Sequence, residues 1–231
     1  MGAAVIGLAG IAVVAVVVPS IGLGLALVPW VSAVMFAGVM ATALGVVGGS
    51  HPFARFGPAN HVTALRVALL AVTAGLAAAP PGGANAWAAA AATLVFAALD
   101  GLDGFLARRT RMSSPFGARF DMETDALFIL VLSLLVWRHD KAGAWVMTSG
   151  VMRYAFAAAG RLLPWMARPL RSTRRGKTVA ALQIVALGVA AAPLVPTSAS
   201  SAVAAAALAA LTWSFAVDIR YLWRRRQDAG I

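Results

Sequence analysis

The chain has 231 residues, 61% of them hydrophobic and 12% charged, where a soluble domain carries about 25% charged residues, so a soluble fold is excluded. Its net charge of +11 is gathered between apolar runs, which reads as the basic bias of cytoplasmic loops and not as a nucleic-acid surface. The absence of cysteine excludes a disulfide framework, a thiol nucleophile and a thiolate metal site.

Eight apolar spans are predicted, at 3–22, 26–48, 61–79, 84–107, 117–137, 142–163, 177–195 and 199–222. Crossing a hydrocarbon core of roughly 30 Å takes about 20 helical residues, and no stretch shows the period-two alternation of a membrane barrel. The expectation is an all-α integral membrane protein. Turn chemistry separates the later spans: PPGGAN at 80–85, MSSP at 112–115, RHDKAG at 138–143 and VPTSAS at 195–200. No basic residue occurs in the first fifty positions, so the charged start of a secretory signal is not expected. One set of loops holds Arg55, Arg109, Arg111, the basic run 161–177 and Arg224, Arg225 and Arg226, whereas the opposite set holds only Arg138 and Lys141. The rich side is predicted to be cytoplasmic, with both termini there. Trp30, Trp137 and Trp223 fall near span ends, as an interfacial aromatic belt requires. Residues 1–50 carry no charge and are read as two helices added by packing to a domain at 51–231.

Chemistry concentrates at the end of the fourth span. Of eight acidic residues, Asp100, Asp103, Asp121, Glu123 and Asp125 lie in one short segment. A charge at a bilayer centre costs about 2.5–3.5 kcal/mol on insertion scales, so such crowding calls for a function. Asp100 and Asp103 share one face of a helix, Asp121 and Asp125 a face of the next, and the short basic connection between them predicts an antiparallel hairpin that converges four carboxylates. Oxygen-only donors favour magnesium, manganese or calcium over zinc. A pair of such ions clamps the attacking and leaving oxygens in phosphoryl transfer. Gly101, Gly104 and Gly117 leave room for a nucleotide or a neighbouring backbone, and Arg108 offers a planar fork to a phosphate.

The stretch DGLDGFLARRTRMSSPFGARFDMETD, at 100–125, resembles the signature of the CDP-alcohol phosphotransferases: D-x2-D-G-x2-A-R, eight residues, then G-x3-D-x3-D. Every fixed position is filled, by Asp100, Asp103, Gly104, Ala107, Arg108, Gly117, Asp121 and Asp125. The resemblance extends more loosely from Asn60 to the end. It implies a core of six transmembrane helices, with the first two spans outside it, and a homodimer whose active site opens to the cytoplasm. It further implies two divalent cations, magnesium or manganese, held by Asp100, Asp103, Asp121 and Asp125. Asp125 is then the general base, and Gly104, Ala107, Arg108 and Gly117 line the nucleotide pocket. Asn60 is expected to cap the first core helix, and Arg66, one turn further in, to face the nucleotide phosphates or anchor a lipid phosphate. Glu123 lies outside the signature and is expected to pair with Arg119.

The acceptor side is read from Arg153 and Arg161, on a mostly apolar span where arginines need anionic partners, and from Arg175, Lys177 and Thr178. The latter are similar to the K-x-K-T segment of phosphatidylglycerophosphate synthases, where basic residues hold the acceptor's phosphate. Arg168, Arg171 and Arg174 read equally well as topology-setting charges. Tyr154 follows Arg153 where such enzymes often carry glutamate, and Gln183 stands two residues later than the glutamine of K-T-x-x-Q. Glycerol 3-phosphate is therefore the expected acceptor, with serine, inositol phosphate and phosphatidylglycerol left open. GKT at 176–178 is not a phosphate-binding loop, because Arg171 stands where that motif needs glycine. Outside the transferase class, a cation transporter would use the same carboxylates as an ion site, but no internal repeat is visible. The resemblance thus implies transfer of a phosphatidyl group from CDP-diacylglycerol, with CMP released, at a bacterial inner membrane among membrane lipids.

Overall fold

The computed structural model describes residues 27–50, 56–110, 112–168 and 173–227, so the first predicted span lies outside the described residues. Those residues form helices α1 (Leu27–Ser50), α2 (Pro58–Ala78), α3 (Gly83–Thr110), α4 (Pro115–Arg138), α5 (Met147–Leu162), α6 (Arg174–Ala191) and α7 (Thr197–Gln227), with 3-10 turns at Ala144–Val146 and Pro164–Ala167. No strand occurs among them, as expected of an all-α chain. Among the described residues, three helices are long and apolar enough to cross a membrane, at Pro58–Ala78, Gly83–Leu106 and Thr197–Gln227. The others coincide with predicted spans: α5 has 16 residues and α6 has 18, α4 is interrupted by charge, and α1 runs for 24 residues without a charged side chain.

Local chemistry sets the boundaries. Gly57 precedes α2 at φ 85, a left-handed conformation that favours glycine, and Pro58 opens the helix with a preset φ. Asn60 does not cap this helix. It is buried inside the first turn and donates from Nδ2 to the Phe56 carbonyl. Ser114 caps α4 by accepting from Gly117 N–H at 3.0 Å, with Pro115 following. Thr173 caps α6 by accepting from Gly176 N–H at 3.1 Å. At the other end, the α6 carbonyls and the turn beyond them meet Lys141, whose Nζ donates to Ala192 O at 3.2 Å and Val195 O at 2.6 Å. α5 ends where Leu163, extended at φ −121 and ψ 97, precedes Pro164.

The core is built around α2. In its most apolar window 72% of residues are buried, against 17% for α7, so α2 is enclosed by the other helices while most of the apolar surface of α7 is left uncovered by the chain. Phe36 and Met40 of α1 join the same cluster as Val67, Leu70 and Leu76 of α2 and Phe128, Leu132 and Leu135 of α4. The second predicted span is therefore packed into the core and does not float beside it. Several buried hydroxyls are satisfied within their own helices, Thr73, Thr93, Thr124 and Ser133 each donating to the carbonyl four residues back, while Ser200 of α7 donates across to Ala190 O of α6 at 2.8 Å. Small residues allow close helix crossings. A Cβ added to Gly150 would stand 2.5 Å from Leu130 Cα, and one on Gly188 would stand 2.5 Å from Thr93 Cγ2, so α5 lies against α4 and α6 against α3 through these glycines. The result is a bundle in which the polar ends of α2, α3 and α4 are brought together.

Candidate active site

At that meeting point stands a buried arginine. Arg66, on α2 with no exposed surface, pairs with Asp100 of α3 at 2.9 Å and with Asp121 and Asp125 of α4. Phe96 supports the guanidinium from one side, its ring centroid 4.4 Å from Arg66 Cζ, and stacks in turn on Phe128 at 3.8 Å and 11°. Carboxylate oxygens of Asp100, Asp121 and Asp125 lie within 4.8 Å of one another. Their side chains are 36%, 37% and 21% exposed, so the cluster is closed below by Arg66 and open on its other side. Three carboxylates against one guanidinium leave two negative charges, −3 + 1, uncompensated among these residues. Hard oxygen donors with an excess negative charge and an open side fit a divalent cation such as magnesium or manganese.

The helix period explains which acids converge. Asp121 and Asp125 are four apart and share a face, whereas Glu123 is turned about 200° from Asp121. Glu123 accordingly looks away from the cluster and pairs with Arg153 of α5 at 2.6 Å, not with Arg119 as expected. Gly117 sits where α4 crosses α2, since a Cβ there would lie 2.8 Å from Asn60 Oδ1. Its missing side chain lets the two helices approach directly below the aspartates. The side chains of Asp103, Ala107 and Arg108 lie outside the described residues, while Gly104 is half-buried on the same turns of α3.

The basic residues assigned to the acceptor are distributed and not converged. Lys177 is exposed and within electrostatic reach of Asp121. Arg153 faces Glu123 on the far side of α4, and Arg175 pairs with Asp218 of α7. Arg161 is exposed and makes no ion pair among the described residues. Asp218 and Phe96 were not singled out from the sequence. Asp218 had left a signal, being an isolated acid inside an apolar span, where a partner is required; Phe96 is an ordinary core aromatic by sequence.

The sequence model described as CDP-alcohol phosphatidyltransferase matches residues 56–217. The chain belongs to this family. The match takes in α2 to α6 and most of α7, and so includes every side chain of the aspartate cluster and its arginine. Among curated phosphatidyltransferases, the chain is 38% identical over 122 residues to a CDP-diacylglycerol--glycerol-3-phosphate 3-phosphatidyltransferase of Pseudomonas fluorescens, a stretch that is 51% of this chain and 59% of that protein. The chain thus spans less than two thirds of the relative's length. No solved structure matches this CDP-alcohol phosphatidyltransferase chain.

Proposed function

We propose that this protein transfers a phosphatidyl group from CDP-diacylglycerol to glycerol 3-phosphate and releases CMP, in phospholipid biosynthesis. The observation that carries the reading is the convergence of Asp100, Asp121 and Asp125 from two helices into one partly exposed cluster above Arg66, in a chain of this family. The similarity to the Pseudomonas fluorescens phosphatidyltransferase supports the donor and the acceptor. Asp100, Asp103, Asp121 and Asp125 would hold two divalent cations, magnesium or manganese, which supply charge neutralisation on the pyrophosphate as CMP leaves.

The residues of the chain do the rest. Asp125 accepts the proton of the acceptor hydroxyl, whose oxygen forms a bond to the lipid-side phosphorus. The bond from that phosphorus to the bridging oxygen breaks, and CMP departs with the electron pair. Arg108, Gly104 and Ala107 form the nucleotide side, the glycine and alanine leaving space and Arg108 opposing phosphate charge, while Arg66 holds the carboxylates from below and Gly117 lets α4 approach α2. Lys177 forms the basic acceptor side, while Arg153 and Arg175 are engaged by Glu123 and Asp218 and act on the acceptor only through the helices they hold. The domain runs from 51 to 231, with residues 1–50 added to it. The molecule is a homodimer in the inner membrane, its site facing the cytoplasm, where the basic loops lie.

The reading is tested by CMP release from CDP-diacylglycerol with magnesium and a panel of acceptors: glycerol 3-phosphate, serine, inositol phosphate and phosphatidylglycerol. Release with glycerol 3-phosphate alone is the expected result. Release with another acceptor instead would keep the chemistry and reassign the basic residues. No release with any acceptor would overturn the reading.

A further inference from the structure

The basic turn that opens α6 is held from outside, by the last helix. Arg175 donates from Nε to Ser214 Oγ at 3.3 Å, pairs with Asp218, and lies 5.8 Å from the ring centroid of Trp213. Ser214 and Asp218 are four apart and share one face of α7. Ser214 is buried, and the side chains of Arg175 and Asp218 are 25% and 26% exposed. An acid at such a depth in an apolar helix is costly without a partner, so both sides of this contact favour keeping it. Asp218 also lies one residue past the segment matched by the family, 56–217.

Lys177 follows Arg175 by two residues and is turned about 200° from it on the helix. Clamping Arg175 to α7 therefore fixes the rotation of the first turn of α6, with exposed Lys177 on the face turned away from the one that meets α7. Thr173, capping the same turn through Gly176, stiffens the lever between the two side chains.

We infer that Asp218 is a positioning residue: by clamping Arg175 it sets the first turn of α6 so that Lys177 meets the anionic group of the acceptor. Arg175 then belongs to this clamp, and its contribution to acceptor binding is exerted through Lys177. The inference rests on the acceptor role proposed above for Lys177.

Two readouts test it. In the first, Asp218→Asn raises the KM for glycerol 3-phosphate by about ten- to a hundredfold, the scale of a small misplacement of a binding group, while kcat and the KM for CDP-diacylglycerol stay unchanged. Arg175→Gln does the same, and the double variant is no worse than either single one, because both remove one contact. The second readout needs no turnover. The chain has no cysteine, so a thiol at Lys177→Cys reports only that position, and adding Asp218→Asn is expected to change its modification rate by a charged thiol reagent. An unchanged acceptor KM in a well-folded Asp218→Asn protein, or equal losses in kcat and both KM values, would overturn the inference. So would an unchanged labelling rate. Should the wild-type protein turn over no acceptor, the proposed function fails, and the labelling rate still decides whether the clamp sets Lys177.

Discussion

Asp125→Asn is expected to lower CMP release by about 10²- to 10⁴-fold, the range associated with removing a positioned general base, with the folded protein intact. Asparagine keeps the size of aspartate and a carbonyl oxygen, so it can still accept a hydrogen bond from Arg66. It cannot take the proton of an acceptor hydroxyl. Because Asp125 is the least exposed of the three clustered carboxylates, at 21%, its replacement also changes the charge that Arg66 sees. The check is therefore a pair of measurements on one preparation: turnover, and elution from a sizing column against wild type. Near-normal turnover would remove Asp125 from the chemistry. Loss of turnover together with loss of the folded peak would leave the base unassigned, and Asp125→Glu would then be used, since it retains the carboxylate.

The second large effect is on stability. Arg66 is fully buried and touches three carboxylates. Breaking a buried ion pair by removing one partner costs about 3–5 kcal/mol, and the partial exposure of the aspartates argues for the lower end. Arg66→Leu is therefore expected to lose about 3 kcal/mol, read as an earlier thermal unfolding transition in detergent. The variant leaves three negative charges facing one another without their cation. Added magnesium is then expected to raise its transition by more than it raises that of wild type, because any ligand of the native state stabilises by mass action. Equal magnesium shifts in the two proteins would contradict the placement of the cation site at these carboxylates.

How much of this was legible in the sequence differs by residue type. The seven described helices were legible because apolar length and turn chemistry are local properties, and the boundaries at Pro58, Pro115 and Pro164 are fixed by proline itself. Three of the four motif aspartates were rightly expected to converge, since spacings of three and four place side chains on one helix face. Partnership across helices was less legible. Glu123 was assigned to Arg119 on its own helix but reaches Arg153 on α5, and Arg66 was turned toward phosphate but sits among carboxylates. In both cases the one-dimensional spacing gives the face and not the neighbour, which depends on how helices cross. Those crossings are set in part by Gly117, Gly150 and Gly188, of which only Gly117 drew attention from the sequence, as room for a nucleotide or a neighbouring backbone, and the neighbour it admits is Asn60 of α2. The acceptor side was the least legible, because a run of arginines has the same appearance whether it binds a phosphate, sets topology or clamps a helix.

The most direct test of the central claim is product formation: radiolabelled glycerol 3-phosphate incubated with CDP-diacylglycerol, magnesium and the purified protein, followed by extraction into organic solvent. The account predicts that label passes into a lipid that carries both phosphates, that it does so only with the donor and the divalent cation present, and that Asp125→Asn abolishes it. Label that remains in the aqueous phase while wild-type protein releases CMP would contradict glycerol 3-phosphate as the acceptor, and label that passes into lipid equally well with the cation chelated would contradict the metal site.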